Sequence, residues 1–282
     1  MTILELKKHF EKELSDLYTA SEISFICSIF LQKITGLDAF EQRRFSEKEL
    51  SQEEKQQLSQ VISELKTQKP YQQILGETEF FGMTFLVDEN VLIPRPETEE
   101  LLEIAVHKIK DHFPGKKLKM LDIGTGSGII PLVLKKHFPE AEVSSIDYSE
   151  KALQTARKNA DFHQLDVHFI HADYLNIDVT DHYDVIISNP PYIGIDEAYE
   201  IADSVKEFEP KMALFSPTSD ALIFYRKIAE DSLKHLNENG LLFLEINQKL
   251  GSETLELYTD SFSDAQLIKD LSGNDRFIVG VK

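Results

Sequence analysis

The chain has 282 residues, 41% of them apolar and 28% charged, with one cysteine and a formal net charge of −19. That is enough chain for one ample core or two domains; it excludes an internal disulfide, and no apolar run approaches the roughly 20 residues that span a bilayer. Residues 1–75 hold 12 acids and 10 bases, which leaves 37 acids and 20 bases, net −17, in the remainder; with no basic cluster beyond dipeptides such as Arg43-Arg44, this argues against a long duplex nucleic-acid substrate.

The opening MTILELKKHFEKEL is charged and helix-like and lacks the apolar core of a signal peptide, so a cytoplasmic protein is expected. Leu4, Phe10, Leu14 and Leu17 fall near one helical face. Thr19-Ala-Ser-Glu22 fits a capping box opening a second helix, which Gly36 would close, and Cys27 within it reads as a core residue. Ser46-Glu-Lys-Glu49 and Ser51-Gln-Glu-Glu54 offer two more starts, and Pro70 a stop. Residues 1–70 therefore read as a helical bundle. Residues 77–93, with aromatics, a glycine and the Asp88-Glu-Asn90 cluster, read as a hairpin linking the bundle to the rest of the chain.

From residue 118 the pattern alternates. KLKMLDIG, AEVSSID, DVHFIHAD, YDVIISN and GLLFLEIN read as strands, with helices at SGIIPLVLKKHF, SEKALQTARKNADF and LIFYRKIAEDSLKHL; two short strands near 264–269 and 276–281 close the chain. Strands alternating with helices imply an α/β sheet covered on both faces, whose ligands bind beyond the carboxyl ends of the strands.

LDIGTGSG, residues 121–128, closes the first of these strands. Gly124, Gly126 and Gly128 allow a tight turn and close approach to a ligand, and the next helix aims its free amides there. The following strand ends at Asp147, where a carboxylate can accept from ribose hydroxyls. The spacing is GxGxG, not the GxGxxG of dinucleotide binders. Asp122, two residues before the first glycine, suits a cofactor with an ammonium group and would repel a pyrophosphate. S-adenosylmethionine has that ammonium and a sulfonium as well.

Asn189-Pro-Pro-Tyr192 follows the fourth strand, at the same sheet edge. Prolines end strand pairing abruptly. Methyl transfer to an amide or exocyclic amine needs help because the nitrogen lone pair is delocalised. Two acceptors that hold both N–H bonds orient that nitrogen; the Asn189 side-chain oxygen and a backbone carbonyl fixed by the prolines qualify. Tyr192 offers a flat face for a planar group. The histidines give no metal pattern: His168 and His171 are three apart on a predicted strand and face opposite sides. Glu207 and Glu209 read as surface charge.

These segments resemble one family. YQQILGETEFFGMTF, LIPRPETEELL, LDIGTGSG, IDYSEKAL with Asn159-Ala160, ISNPPYI, EPKMAL and GNDRFIVG, in this order, are similar to the bacterial release-factor glutamine methyltransferases from about Tyr71 onward. The resemblance implies a class I S-adenosylmethionine-dependent methyltransferase domain over 96–282, Rossmann-like with a seven-stranded mixed sheet, a β-hairpin linker over 71–95, and a bundle over 1–70 that helps grip the release factor. It implies methylation of N5 of the glutamine in the release factor's GGQ motif, with S-adenosylhomocysteine as product. Gly124, Thr125, Gly126, Ser127 and Gly128 would line the cofactor, Asp147 would hold its ribose, and Tyr174, after Asp173, would sit against the adenine. Asn189, Pro190, Pro191 and Tyr192 would bind the target glutamine, with Arg95 and Thr98 beside them. Release factors are the expected partner, with no direct nucleic acid, no membrane, no metal and a monomeric enzyme.

EINQKLG lacks the glycine that commonly follows Glu-Ile in this family, and FSPTSDAL lacks its Gly-Gly and Asp-Gly pairs; both departures are expected to lie outside the cofactor and glutamine residues. Two other readings stay open. NPPY also serves adenine-N6, cytosine-N4 and guanine-N2 methyltransferases, and a non-catalytic binding module could use the same fold to sense the cofactor.

Overall fold

In a computed structural model, which describes residues 1–194, 199 and 203–282, capping boxes punctuate the first 65 residues. Thr2 opens α1 (Ile3–Leu14), Thr19 opens α2 (Ala20–Thr35), Asp38 opens α3 (Ala39–Arg44) and Ser51 opens α4 (Gln52–Leu65), each with a glutamate three residues on that returns the hydrogen bond. Gly36, at φ 73°, ends α2. Ile3, Leu6, Phe10 and Leu14 form the buried face of α1; of the expected stripe Phe10 and Leu14 are buried, whereas Leu4 and Leu17 are exposed and Ile3 and Leu6 complete the face instead. Ser46 opens no helix: it lies in a turn closed by the Lys48 amide on the Phe45 carbonyl, and the carbonyls of Ser46 and Lys48 accept from the free Leu4 and Ile3 amides of α1. Pro70 starts a short helix, α5 (Tyr71–Leu75), where a stop was expected. These helices make one compact unit, Met1–Gly76, around its own core, which includes Cys27.

The second unit, Glu77–Lys282, opens with a hairpin of β1 (Glu77–Phe80) and β2 (Met83–Leu86), followed by α6 (Pro96–His112). Then come β3 (Lys119–Ile123), α7 (Ile129–His137), β4 (Glu142–Asp147), α8 (Glu150–His163), β5 (His168–His171) and β6 (Tyr183–Ser188). After α9 (Asp203–Phe208), α10 (Lys211–Leu214) and α11 (Ile223–His235), the chain forms β7 (Leu236–Glu245), α12 (Gly251–Thr259), β8 (Asp264–Lys269) and β9 (Asp275–Val281). The sheet order is β5-β4-β3-β6-β7-β9-β8, parallel as far as β7, with β9 antiparallel to both neighbours.

Residues alternate between the two faces. Met120, Ile187 and Phe243 pack with α6, α7 and the hairpin, whereas Leu121, Ile186 and Leu242 pack with α11 and α12. Burial on both sides explains why YDVIIS reads as an unbroken core strand. From β3 the chain steps outward to β4 and β5, then returns to β6 on β3's other side. The switch point lies between β3 and β6. The hairpin is fixed to this unit by Asn159 of α8, whose side chain bonds the Leu86 N–H and carbonyl and also the Ser127 carbonyl. Among the described residues no helix is long and apolar enough to cross a membrane.

Candidate active site

The glycine loop leaves β3 at the switch point. The amides of Gly124 and Thr125 both donate to the Ile146 carbonyl at the end of β4, at 2.9 and 3.1 Å. Gly124 has φ 90°, and a Cβ there would sit 3.5 Å from the Asn189 carbonyl, so this loop and the NPPY loop are in near contact. Gly128 has φ 86° as the N-cap of α7, and a Cβ there would press on Ala156 of α8 at 3.1 Å. Asp147 closes the loop: one carboxylate oxygen accepts from the Gly126 amide (2.9 Å), the other from the Ser149 amide (2.8 Å). Burial raises its pKa, opposed by those backbone donors.

Asp122 lies beneath the loop, fully buried. It pairs in register with Ser145 of β4, whose hydroxyl donates to it at 2.5 Å; since that proton is committed, Thr125 donates to Ser145, also at 2.5 Å. The second Asp122 oxygen has no partner among the described residues. Burial pushes the Asp122 pKa up to about 7, with the Ser145 hydroxyl opposing. Asp122 thus stands one residue back from the surface, reaching the loop through Ser145 and Thr125.

At the end of β6 the Ser188 hydroxyl holds the Ile123 carbonyl at 2.7 Å. Asn189 then turns its side-chain N–H onto the Thr98 hydroxyl oxygen (3.0 Å), and Thr98 donates its own proton to Oε2 of Glu245 (2.7 Å). The Tyr192 hydroxyl donates to the other Glu245 oxygen at 3.4 Å, and the Asn247 side chain holds the Tyr192 carbonyl at 3.2 Å. Glu245 is 1% exposed, and burial raises its pKa to about 7 against the Thr98 hydrogen bond. Burial also raises the Tyr192 pKa, helped by the Glu245 charge.

Two cavities open here. The larger, of about 750 Å³, is lined by Gly124, Ile146, Asp147, Asp173, Tyr174 and Pro190 among others, a volume suited to a cofactor. The smaller, of about 120 Å³, lies among Arg95, Thr98, Gly126, Ser127, Asn189 and Met212. Gly124, Asp147, Pro191 and Met212 border both. Asp173 caps the short turn that carries the buried Tyr174. Asp122 and Tyr192 line neither of these two cavities. The Asp147 and Asp173 carboxylates at the larger cavity, with the unpaired buried oxygen of Asp122 beneath the loop, suit a cationic nucleoside cofactor and disfavour a pyrophosphate. Among the described residues no group of three or more histidine, cysteine or acidic side chains is placed to hold a metal ion.

Three expectations change. Glu209 is not surface charge: its side chain is 1% exposed, pairs with Arg95 at 2.6 Å and accepts the Ile93 amide at 3.0 Å. Glu245 of EINQ is the hub that joins Thr98 and Tyr192, so that segment is part of the site. Phe215, Ser216, Pro217 and Thr218 of FSPTSDAL line the larger cavity. A signal for Glu245 does exist in the sequence: a carboxylate ending an apolar strand, where burial without a partner is costly. Nothing local marks Glu209, whose partner is 114 residues away.

Comparison with known proteins respects the same division of the chain. A model of the PrmC N-terminal domain matches residues 5–76, and a model of the methyltransferase small domain matches 101–207. The release factor glutamine methyltransferase of Flavobacterium psychrophilum is 44% identical over 280 residues, covering 99% of this chain and 98% of the relative. That of Bacteroides thetaiotaomicron is 37% identical, covering 96% of each. A crystal structure of a methyltransferase from Pyrococcus furiosus superposes with a TM-score of 0.51 at 21% identity, over 75% of this chain and 94% of that one. The second unit therefore has the α/β sheet that the strand pattern implied and the Rossmann-like class I methyltransferase fold that the family resemblance implied. By identity and extent, the chain belongs to the release factor glutamine methyltransferase family.

Proposed function

We propose that this chain transfers a methyl group from S-adenosylmethionine to N5 of the glutamine in the GGQ motif of peptide chain release factors. The observation that carries the reading is Asn189. One side-chain N–H is spent on Thr98, which leaves its side-chain oxygen to accept a hydrogen bond, and the residue lines the smaller cavity together with the glycine loop. When bound, S-adenosylmethionine supplies an activated methyl group, which passes to the amide nitrogen as the carbon–sulfur bond breaks and the nitrogen gives one proton to water.

The protein's part is to hold and orient. Gly124, Thr125, Gly126, Ser127 and Gly128, with Asp147, Asp173 and Tyr174, hold the cofactor, Asn189 stands beside its methyl group as an acceptor for the target amide and adds little to cofactor affinity, and Asp122 supports the loop from below. Asn189 Oδ1 and the Pro190 carbonyl accept the two N–H bonds of the target amide. Pro191, Tyr192, Arg95 and Thr98 shape its seat. Charge that develops on the nitrogen strengthens these acceptor contacts in the transition state, and that is what accelerates the step. The helical bundle serves as the grip on the release factor. The enzyme acts as a cytoplasmic monomer without metal or nucleic acid.

The test uses labelled S-adenosylmethionine with an unaltered release factor, with its GGQ glutamine-to-alanine variant, and with total RNA and DNA. Label on the unaltered release factor alone supports the reading. Label that persists on the variant, or that appears on nucleic acid instead, overturns it.

A further inference from the structure

The Asn189 amide has two ends of opposite character and nearly equal shape. Only the oxygen can accept an N–H from a substrate amide. Something must decide which end faces the reacting nitrogen, and Asn189 cannot do so itself.

The decision is made two bonds away. Thr98 has one hydroxyl proton and is 6% exposed. An ionised Glu245 only accepts, so Thr98 must donate to it, at 2.7 Å. The Thr98 oxygen is then left with lone pairs alone, and the Asn189 atom 3.0 Å away must be the nitrogen. The opposite orientation would set two oxygens against each other. If Glu245 is protonated, it can donate to Thr98, Thr98 can donate to Asn189 Oδ1, and the whole chain of bonds reverses.

We infer that Glu245 is a positioning residue which, through Thr98, fixes the Asn189 amide with its oxygen toward the target nitrogen. This deepens the glutamine-methylation reading and rests on it for its kinetic consequences. The groups that face Glu245 are consistent with its polarity. Thr98 and Glu97 come from α6, Tyr192 from the NPPY loop and Arg276 from β9, while the Tyr225 hydroxyl of α11 bonds the Glu245 carbonyl at 3.3 Å. Arg276, which favours the ionised form, is itself held by Asp270 at 3.1 Å; Glu97 opposes it. Burial brings the Glu245 pKa to about 7, so the relay has both polarities within reach of ordinary pH.

The full chain is assayed with a release factor across pH 5.5–9. The wild-type enzyme is expected to lose kcat on the acid side with a midpoint near 7. Glu245→Gln, whose side-chain amide can donate as the protonated acid does, should lower kcat by about 10- to 100-fold, as misplaced contacts do, and remove that acid limb. Cofactor affinity by calorimetry should stay unchanged. Thr98→Val should match Glu245→Gln, the double variant should lose no more than either, and Thr98→Ser should restore activity. Glu245→Gln with wild-type kcat and an unaltered pH profile would overturn the inference, as would additive losses.

A second readout needs no turnover. The Asn189 side-chain amide resonances of nitrogen-15-labelled protein, assigned by their absence in Asn189→Asp, should titrate with the same midpoint in the wild type and not in Glu245→Gln. If they titrate but the release factor is not methylated, the relay stands and the substrate reading fails. If they do not respond to pH, the relay fails whatever the substrate.

Discussion

Arg95 Nη2 lies 2.6 Å from Oε1 of Glu209, a carboxylate only 1% exposed that also accepts the Ile93 amide. The Leu92–Thr98 wall of the smaller cavity is thereby tied to the chain just ahead of Met212 and Ala213, which line the same cavity. Glu209→Ala leaves the Ile93 N–H buried and unpaired and should destabilise the second unit by about 2 kcal/mol. Glu209→Gln, which can still accept that N–H, should cost less. Urea unfolding followed by circular dichroism gives both values; equal midpoints for wild type and Glu209→Ala would refute the prediction.

Asn189→Ala removes the proposed acceptor without touching the glycine loop. By analogy with the loss of one preorganised hydrogen-bonding group in other active sites, the rate should fall roughly 10²–10³-fold. The dissociation constant of the cofactor should change little. A loss seen in cofactor binding and not in the rate would move Asn189 from the substrate to the cofactor.

Gly128 joins a φ of 86° to a position where a Cβ would meet Ala156 at 3.1 Å and Leu132 at 3.2 Å. Gly128→Ala is therefore strained both in backbone and in packing and should destabilise by on the order of 1–3 kcal/mol. Gly126→Ala has φ 54° but nothing within 4 Å, so it should carry the backbone cost alone. Thermal melts of the two variants should rank in that order.

Asp122 links stability to pH with an unusual sign. Unfolded, its carboxyl titrates near 3.8; folded, near 7. Between those values the folded state keeps a proton that the unfolded state has lost, so stability falls as pH rises through this window and stays lowered above it. Glu245, raised from 4.5 to about 7, acts in the same direction. Asp122→Asn should raise the melting temperature of the cofactor-free protein at pH 8, leave it unchanged at pH 4, and weaken cofactor binding. A melting temperature lowered equally at both pH values would contradict this.

Cys27, the chain's single cysteine, is buried in the bundle core and its thiol is pushed up to about 12 by burial. Iodoacetamide should leave it unmodified in the native protein at pH 8 and modify it once the bundle opens in denaturant. The labelling midpoint then reports on Met1–Gly76 alone; rapid labelling of native protein would show that the bundle opens freely.

The central strands were legible because each is an apolar run of strand length between turn signals, and the glycine loop because its geometry demands particular residues. The Thr19 and Ser51 caps were legible for the same local reason. Ser46 carries the same pattern and fails because distant amides of α1 claim its neighbourhood. Leu17 misled because α1 stops at Leu14, before the periodic stripe is used up. Glu209 is the clearest limit, and even for Glu245, whose place at the end of an apolar strand signals burial, the partner is not legible. A glutamate is surface charge until a partner is brought to it, and here the partners are Arg95 and Thr98, 114 and 147 residues away. Sequence pattern reads what a segment prefers alone; it does not read what the sheet brings to that segment.

Ile123 and Ser188 are neighbours in the sheet although 65 residues separate them. During synthesis the glycine loop emerges long before its opposite wall, and the two meet only when β6 settles beside β3. Closing so long a loop is slow relative to forming the local helices. S-adenosylmethionine, which would bind across that seam, therefore cannot act as a template for early folding. It can only reward a sheet already assembled, as any ligand that favours the native state does. Cofactor occupancy would thus mark a nascent chain that has completed its central pairing.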